Sequence, residues 1–557
     1  MAADRSRQDK PVSRGGTSDG RCSAAPRQSP RLLPPFKIWA IVAIAVGGIF
    51  LVRTTDLTAD HAINNLLTLG LGFLAVMAWI LWFSFCSGYS SRLRWLPMGV
   101  IVSCITFFFI FYRIDHFNGE LIPQFAPRFS VPADQLLPQL LNQTPQNDLP
   151  TIDLSKSTAY DFPQFLGPQR RATVPAAGLS RDWTETAPRQ LWKQPIGAGW
   201  SAFSAVNGYA VTMEQRGPLE LVVCYDLKTG KVQWSHATKA RYQHKLGGIG
   251  PRSTPTIHQG KVYALGVTGQ LHCFDGTDGK VLWKRDLQKE FGLSAKEDTK
   301  ILYFGRSSSP LIVNDTVVVP AGGPQAGRHY SLVAYDKDTG ELVWKNGTSQ
   351  ISYSSPSLVT LCGQKQILTV NENNVAGYNP NSGEEFWKHD WEGDNLTNAN
   401  ISQAVAVEGD RVLVSKGYGT GAMLLQILHS PDSGWTTKKV WSRHNALRTK
   451  FTNVVIKDGY IYGLSDGIMQ CVDLNTGRPK WKKGRYGHGQ ILLVGDVILV
   501  LSESGNVHLL EATPKKHTEL TKFSAIEGKT WNNICLYGPF LLVRNAEQAA
   551  CYELPQE

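Results

Sequence analysis

Two kinds of apolar pattern divide this chain. Ahead of residue 113 lie three long runs, 36–52, 66–86 and 95–112. The first is nearly all apolar, and the other two carry no charge at all. Each is about long enough to cross a hydrocarbon core of about 30 Å as a helix. Beyond residue 190 the apolar runs become short and alternating, with Gly and Pro between them and almost no helical periodicity, which predicts short strands.

Those strands carry a repeated signature. Cys224-Tyr-Asp-Leu-Lys-Thr-Gly-Lys-Val-Gln-Trp234 recurs as Cys273 to Trp283, Ala334 to Trp344, Gly377 to Trp387 and Cys471 to Trp481. The shared positions are Asp226, Asp275, Asp336, Asn379 and Asp473, then a glycine, then Trp234, Trp283, Trp344, Trp387 and Trp481. Each copy reads as a hairpin, since Asp or Asn can bond to turn N–H groups and Gly supplies the positive φ. The chain ends in Cys551-Tyr-Glu-Leu554, a copy cut off before its glycine, and the missing half, Leu191-Trp192-Lys193, stands far upstream. Degraded copies around 428–434, closing at Trp441, and at 509–514 bring the count to eight. Eight short apolar strands, one ahead of each copy, give the same number. Units of about 46 residues with four strands are propeller blades. The predicted fold is therefore all-β: an eight-bladed β-propeller with an N-terminal strand closing the last blade, preceded by three transmembrane α-helices. The repeated tryptophans, Trp192 included, read as packing between neighbouring sheets, because equivalent outer positions spread around a ring cannot converge on one ligand.

Charge orients the apolar segment. Arg5, Arg7, Lys10, Arg14, Arg21, Arg27 and Arg31 precede the first run, and Arg92 and Arg94 lie between the second and third. The loop between the first two has Arg53 against Asp56 and Asp60. By the positive-inside rule the arm is cytoplasmic, and three spans place the rest outside. The division expected is a basic disordered arm over 1–35, membrane helices over 36–112, a linker or strap over 113–188 and the propeller over 189–557. The linker holds ten prolines, and its stretch Asp161-Phe-Pro-Gln-Phe-Leu-Gly-Pro-Gln-Arg170 reads as a strap on the propeller's side. The formal net charge of +11 is explained partly by the arm, and no basic-aromatic pattern points to nucleic acid. Of nine cysteines, Cys224, Cys273, Cys471 and Cys551 share one strand position and read as small buried residues. No spacing suggests haem or zinc.

The pattern small-aromatic-Asp-x-x-Thr-Gly-x-x-x-Trp resembles the repeat of the PQQ-like, or quinoprotein-type, propeller superfamily. In character the chain is similar to the non-enzymatic BamB-like propellers, with a multi-helix membrane anchor added. The resemblance implies a ligand position over the central channel, on residues just ahead of each innermost strand. Here those are Trp200, Arg252, Arg306, Tyr353, Asn400, Thr452, His488, Trp531 and Asn532, with Lys450 close by. Their cations and aromatics suit a planar tricarboxylate such as PQQ, while a solvated polar rim would look the same. The resemblance further implies, for a dehydrogenase, an adjacent Cys-Cys pair, a calcium site of Glu, Asn and Asp, and a catalytic Asp. The chain has no Cys-Cys pair, and no carboxylate stands in that rim set. Asp394 and Asp466 lie in nearby loops.

The expectation is a non-catalytic, membrane-anchored binding or assembly scaffold facing the periplasm, with no catalytic residue, no metal and no required cofactor, and with a protein partner or an unidentified ligand at the propeller face. The alternatives are a PQQ-dependent quinoprotein dehydrogenase of alcohols or sugars and, last, a sensor signalling through its arm.

Overall fold

The computed structural model describes residues 32–55, 61–142, 152–175, 178–392 and 399–557. Most of the expected arm, Cys22 and Asp394 lie outside these. The three apolar runs form helices α1 (Phe36–Thr54), α2 (His61–Cys86) and α3 (Ser91–Phe111), all long and apolar enough to cross a membrane. The second and third begin four or five residues earlier than their apolar runs. Hydropathy marks the membrane-compatible core of a helix, whereas the helix continues until a breaker stops it. The turn between α2 and α3 is fastened by a T-shaped contact of Phe85 and Trp95, 5.0 Å between centroids.

After α3 the chain forms a hairpin, β1 (Tyr112–Phe117) and β2 (Pro123–Pro127). Eight antiparallel sheets follow. Six are built from consecutive strands alone, blade seven adds one short upstream strand in parallel to its four, and blade eight takes its outermost strand from upstream. That strand pairs Trp192 with Cys551, so the split copy closes the ring as its two halves predict. Closure of this kind pairs a strand edge of the last blade that would otherwise be exposed.

In every blade the third-strand ladder slips by one residue at the same place: Cys224/Tyr225, Cys273/Phe274, Ala334/Tyr335, Gly377/Tyr378, Leu424/Leu425, Cys471/Val472, Leu509/Leu510 and Cys551/Tyr552. The bulge persists in blades five and seven, where the signature has decayed, and both have all four strands. The small residue of the signature lies directly opposite the tryptophan: Cys224 opposite Trp234, Cys273 opposite Trp283, Ala334 opposite Trp344. Blade seven inverts the volumes, setting Leu509 against Thr521. The buried cysteines are thus space-makers beneath an indole.

The turn after the bulge is built as the signature predicts. Asp226 Oδ1 accepts from the Thr229 N–H at 2.8 Å, and Asp336 and Asp473 do the same for Thr339 and Thr476. The turn glycine has a second role. Trp192, Trp234, Trp283 and Trp441 reach over the turn of the next blade, where a Cβ on Gly230, Gly279, Gly340 or Gly477 would lie 2.5–2.7 Å from the ring, whereas Trp387 donates to Gln366 of its own blade. The indole N–H of Trp192, Trp234, Trp283, Trp441 and Trp481 donates to a carbonyl of the next blade at 2.8–3.0 Å. These rings are packing residues.

The strap does not lie on the propeller's side. It runs against the innermost strands. Phe162 bridges Ala205 of blade one, Pro163 accepts from Ile257 of blade two, and the Arg170 guanidinium donates to Ser309 and Pro310 carbonyls near blade three. Strand β3 (Thr173–Val174) then pairs in parallel with Leu493 and Val494 of blade seven. The segment crosses the channel because it supplies backbone partners and a buried aromatic there, which the proline count alone does not convey.

Two outcomes test this account. Trp234→Ala should cost about 3–5 kcal/mol by cavity formation, and Trp234→Phe only about 1–2 kcal/mol for the lost hydrogen bond, both read as falls in the thermal midpoint of the solubilised full chain. Glu220 in blade one is buried, accepts from the Val267 N–H at 3.0 Å, and is pushed up to about 7 by burial. A raised carboxyl pKa gives stability that is complete below the unfolded value and is lost as pH rises through 7. Glu220→Gln should therefore stabilise the protein by roughly 1–3 kcal/mol at pH 8 and gain nothing at pH 4.5, measured by melts across that range.

Candidate functional site

The segments ahead of the innermost strands do converge on one end of the channel, but they divide into two sets. Arg306 is buried, paired with Asp298 at 2.9 Å and donating to the Ala321 carbonyl at 3.0 Å. Asn400 donates to Asn371 and Glu372 carbonyls, Asn532 donates to Gly199 and Ser201 carbonyls, and Thr452 donates to Thr449. The buried Tyr353 hydroxyl accepts from the Phe304 N–H, and burial raises its pKa. Arg252 spends its guanidinium on the carbonyls of Gly247 and Gly250 and lies 5.0 Å from the Tyr242 ring; burial lowers its pKa to about 10. These six hold loops between blades and face backbone.

Trp200, His488, Lys450 and Trp531 form the mouth. Trp531 packs against Trp200 at 4.9 Å and against Phe451 at 4.7 Å, and Phe451 also meets His488 at 5.4 Å. Lys529 lies over both tryptophans, 4.2 Å from Trp531 and 5.1 Å from Trp200. Burial lowers its pKa to about 8, with Glu503 and Asp115 opposing that fall. At the centre is Glu503, accepting from the indole N–H of Trp531 at 3.0 Å and from the His488 N–H at 3.0 Å. Gly487 makes room for it, since a Cβ there would come within 2.5 Å of Glu503 Oε2.

The sequence reading lacked a rim carboxylate, and the structure supplies one. Glu503 sits in the turn between the second and third strands of blade seven, 501–506, and that class of turn also reaches the mouth. Reading those turns beside the segments ahead of first strands would have found it. Asp466 is paired with Arg448 at 3.5 Å instead.

The mouth already holds a piece of this chain. The tip of the β1–β2 hairpin lies on it, and the Gly119 N–H donates to Glu503 at 2.8 Å. Lys529 donates to the Phe117 carbonyl at 3.2 Å, and Lys450 reaches the Gly119 carbonyl at 3.5 Å. Glu120 pairs with Arg485 at 2.9 Å. Beside the tip a cavity of about 660 Å³ remains, lined by Asp115, His116, Trp200, Glu503 and Lys529 among others. Among the described residues no group of three His, Cys, Asp or Glu side chains could hold a metal ion.

PQQ does not fit this arrangement. A planar tricarboxylate needs cations with unspent donors and a clear aromatic face. Arg252 and Arg306 are committed to carbonyls and to Asp298, Lys529 to Phe117, and the central acceptor is a carboxylate that would repel an anion.

Comparison with known proteins agrees with the repeat. Residues 218–483 match the family model described as outer membrane protein assembly factor BamB. The chain is similar to BamB of Shewanella oneidensis, 21% identical over 365 residues that cover 64% of this chain and 86% of that protein. It is also similar to quinohemoprotein alcohol dehydrogenase ADH-IIG of Pseudomonas putida, 25% identical over 136 residues, 24% of this chain and 18% of that enzyme. Among solved structures, BamB from Moraxella catarrhalis superposes with a TM-score of 0.46 at 14% identity, over 66% of this chain and all of that one. The propeller's repeat is thus similar to that of the PQQ-like superfamily, and in character the chain is similar to BamB.

Lys529 should report on the mouth. The difference in tryptophan emission between the wild-type chain and Lys529→Met should titrate with a midpoint near pH 8, as the cation over two indoles loses its proton. A flat difference between pH 6 and 10 would contradict the placement of Lys529.

Proposed function

We propose that this PQQ-like propeller is a non-catalytic binding and assembly platform, tethered to the cytoplasmic membrane by its three apolar helices. One observation carries the reading: the channel mouth, where the superfamily would seat a quinone, is closed by the chain's own backbone, with its cations and central carboxylate engaged. The similarity to BamB over most of that protein's length supports a scaffold, while the dehydrogenase match covers a small part of that enzyme. The basic arm and the Arg92–Arg94 loop support a cytoplasmic N-terminus and a propeller on the periplasmic side. A protein is the partner such a platform would hold, and the rim and blade flanks are the surface left for it.

Two measurements test this. Full chain titrated with PQQ and calcium should show no absorbance change and no heat, and should reduce no dye with alcohols or sugars. Protease added to the outer side of spheroplasts should digest the propeller and spare the arm. Stoichiometric PQQ binding with turnover would replace the platform by an oxidoreductase, and a propeller protected from outside would reverse the orientation.

A further inference from the structure

Gly119 shows what the mouth is built to take. Its φ is not in the left-handed region that favours glycine, so the turn itself does not demand a glycine there; Leu121, at φ +57, takes the strained position. The turn is internally complete. Asn118 Oδ1 accepts from the N–H groups of Glu120 and Ile122, and the Asn118 N–H donates to the Ile122 carbonyl. The requirement for glycine comes from the propeller. A Cβ on residue 119 would collide with the His488 ring and press on Glu503.

The propeller meets the turn mainly through its backbone. Glu503 takes the Gly119 N–H, Lys450 the Gly119 carbonyl and Lys529 the Phe117 carbonyl, while the Phe117 N–H donates to the Lys245 carbonyl at 3.3 Å. One side chain is read, the Glu120 carboxylate, by Arg485. A receptor that pairs donors and acceptors of a main chain, excludes a side chain at one position and takes an acid at the next is a polypeptide site. We propose that the channel mouth is a binding site for a Gly-acid polypeptide turn, and that its occupant is this chain's own Asn118–Gly119–Glu120 tip. The proposal rests on the mouth's geometry alone, not on the anchor's orientation or on the platform reading.

A tethered occupant acts at an effective concentration of about a millimolar, so the site stays filled in the intact chain and opens only when the tip is spoiled. The experiment uses the solubilised full chain, wild type and Gly119→Val, with a fluorescent synthetic peptide spanning residues 112–127. Hydrogen exchange over 117–122 should quicken at least tenfold in Gly119→Val, while the strand at 497–501 keeps its protection and so certifies the fold. The peptide should bind the Gly119→Val chain at least tenfold more tightly than wild type, and a peptide carrying Gly119→Val should bind neither. Glu503→Gln combined with Gly119→Val should weaken the peptide again. Unchanged exchange in Gly119→Val, equal peptide binding by both chains, or no binding by the vacated mouth would each overturn the proposal, whereas stoichiometric PQQ binding with turnover by the wild-type chain is what overturns the platform reading, so the two failures are distinguishable.

Discussion

The contact on which this fold depends is an indole laid over a glycine of the neighbouring blade. A propeller blade is a four-stranded sheet with two apolar faces and cannot stand by itself; its stability lies in what it buries against its neighbours. The tryptophan fills that interface, and its N–H satisfies a carbonyl at the next blade's turn. The glycine answers two demands at once, since a side chain would strain the turn and also displace the ring. The last of these contacts, Trp192 over Gly230, joins blade eight to blade one and is made by the strand borrowed from upstream. Ring closure is thus the ordinary interblade contact repeated once more.

This explains what was legible. Where the signature is whole, the volume rule of small residue opposite tryptophan is written in the residues, and the blade can be read from them. In blade seven Leu509 faces Thr521, which fills a similar space with the sizes exchanged, so a search for the pattern finds only a trace. The bulge that all blades share is a backbone event, and bulges accept many residue types. The mouth was legible as a place and not as a set of roles. Arginine in a loop serves a carbonyl as well as it serves a ligand, and nothing in the residue type separates Arg306, committed to Asp298, from a free cation. Asn118-Gly119 is itself a hairpin signal, but the surrounding prolines gave the segment the appearance of a linker.

The electrostatics of the mouth follow from its being filled. Lys529 loses solvation beneath two indoles and keeps its charge through Glu503 and Asp115, while the carboxylate of Glu503 is held by N–H donors from Trp531, His488 and Gly119. Such a set is balanced only with the turn present. Without it, one carboxylate oxygen and the lysine would each lose a partner in a half-buried place, which is expensive.

The same reasoning bears on where the propeller begins. The eight signatures start near residue 189, yet the channel is filled by residues well before that: Gly119 at the mouth, then Phe162, Arg170 and Thr173 along the innermost strands. Arg170 is buried deeply enough that its pKa falls to about 9, and its charge is met by two backbone carbonyls of the ring it crosses and by the Gln164 amide oxygen, with no carboxylate among these partners. A ring cut at residue 189 would expose polar groups that now satisfy one another, whereas a ring that keeps 112–188 presents a closed interior. The repeats mark the blades; the folding unit also includes the segment that fills their axis.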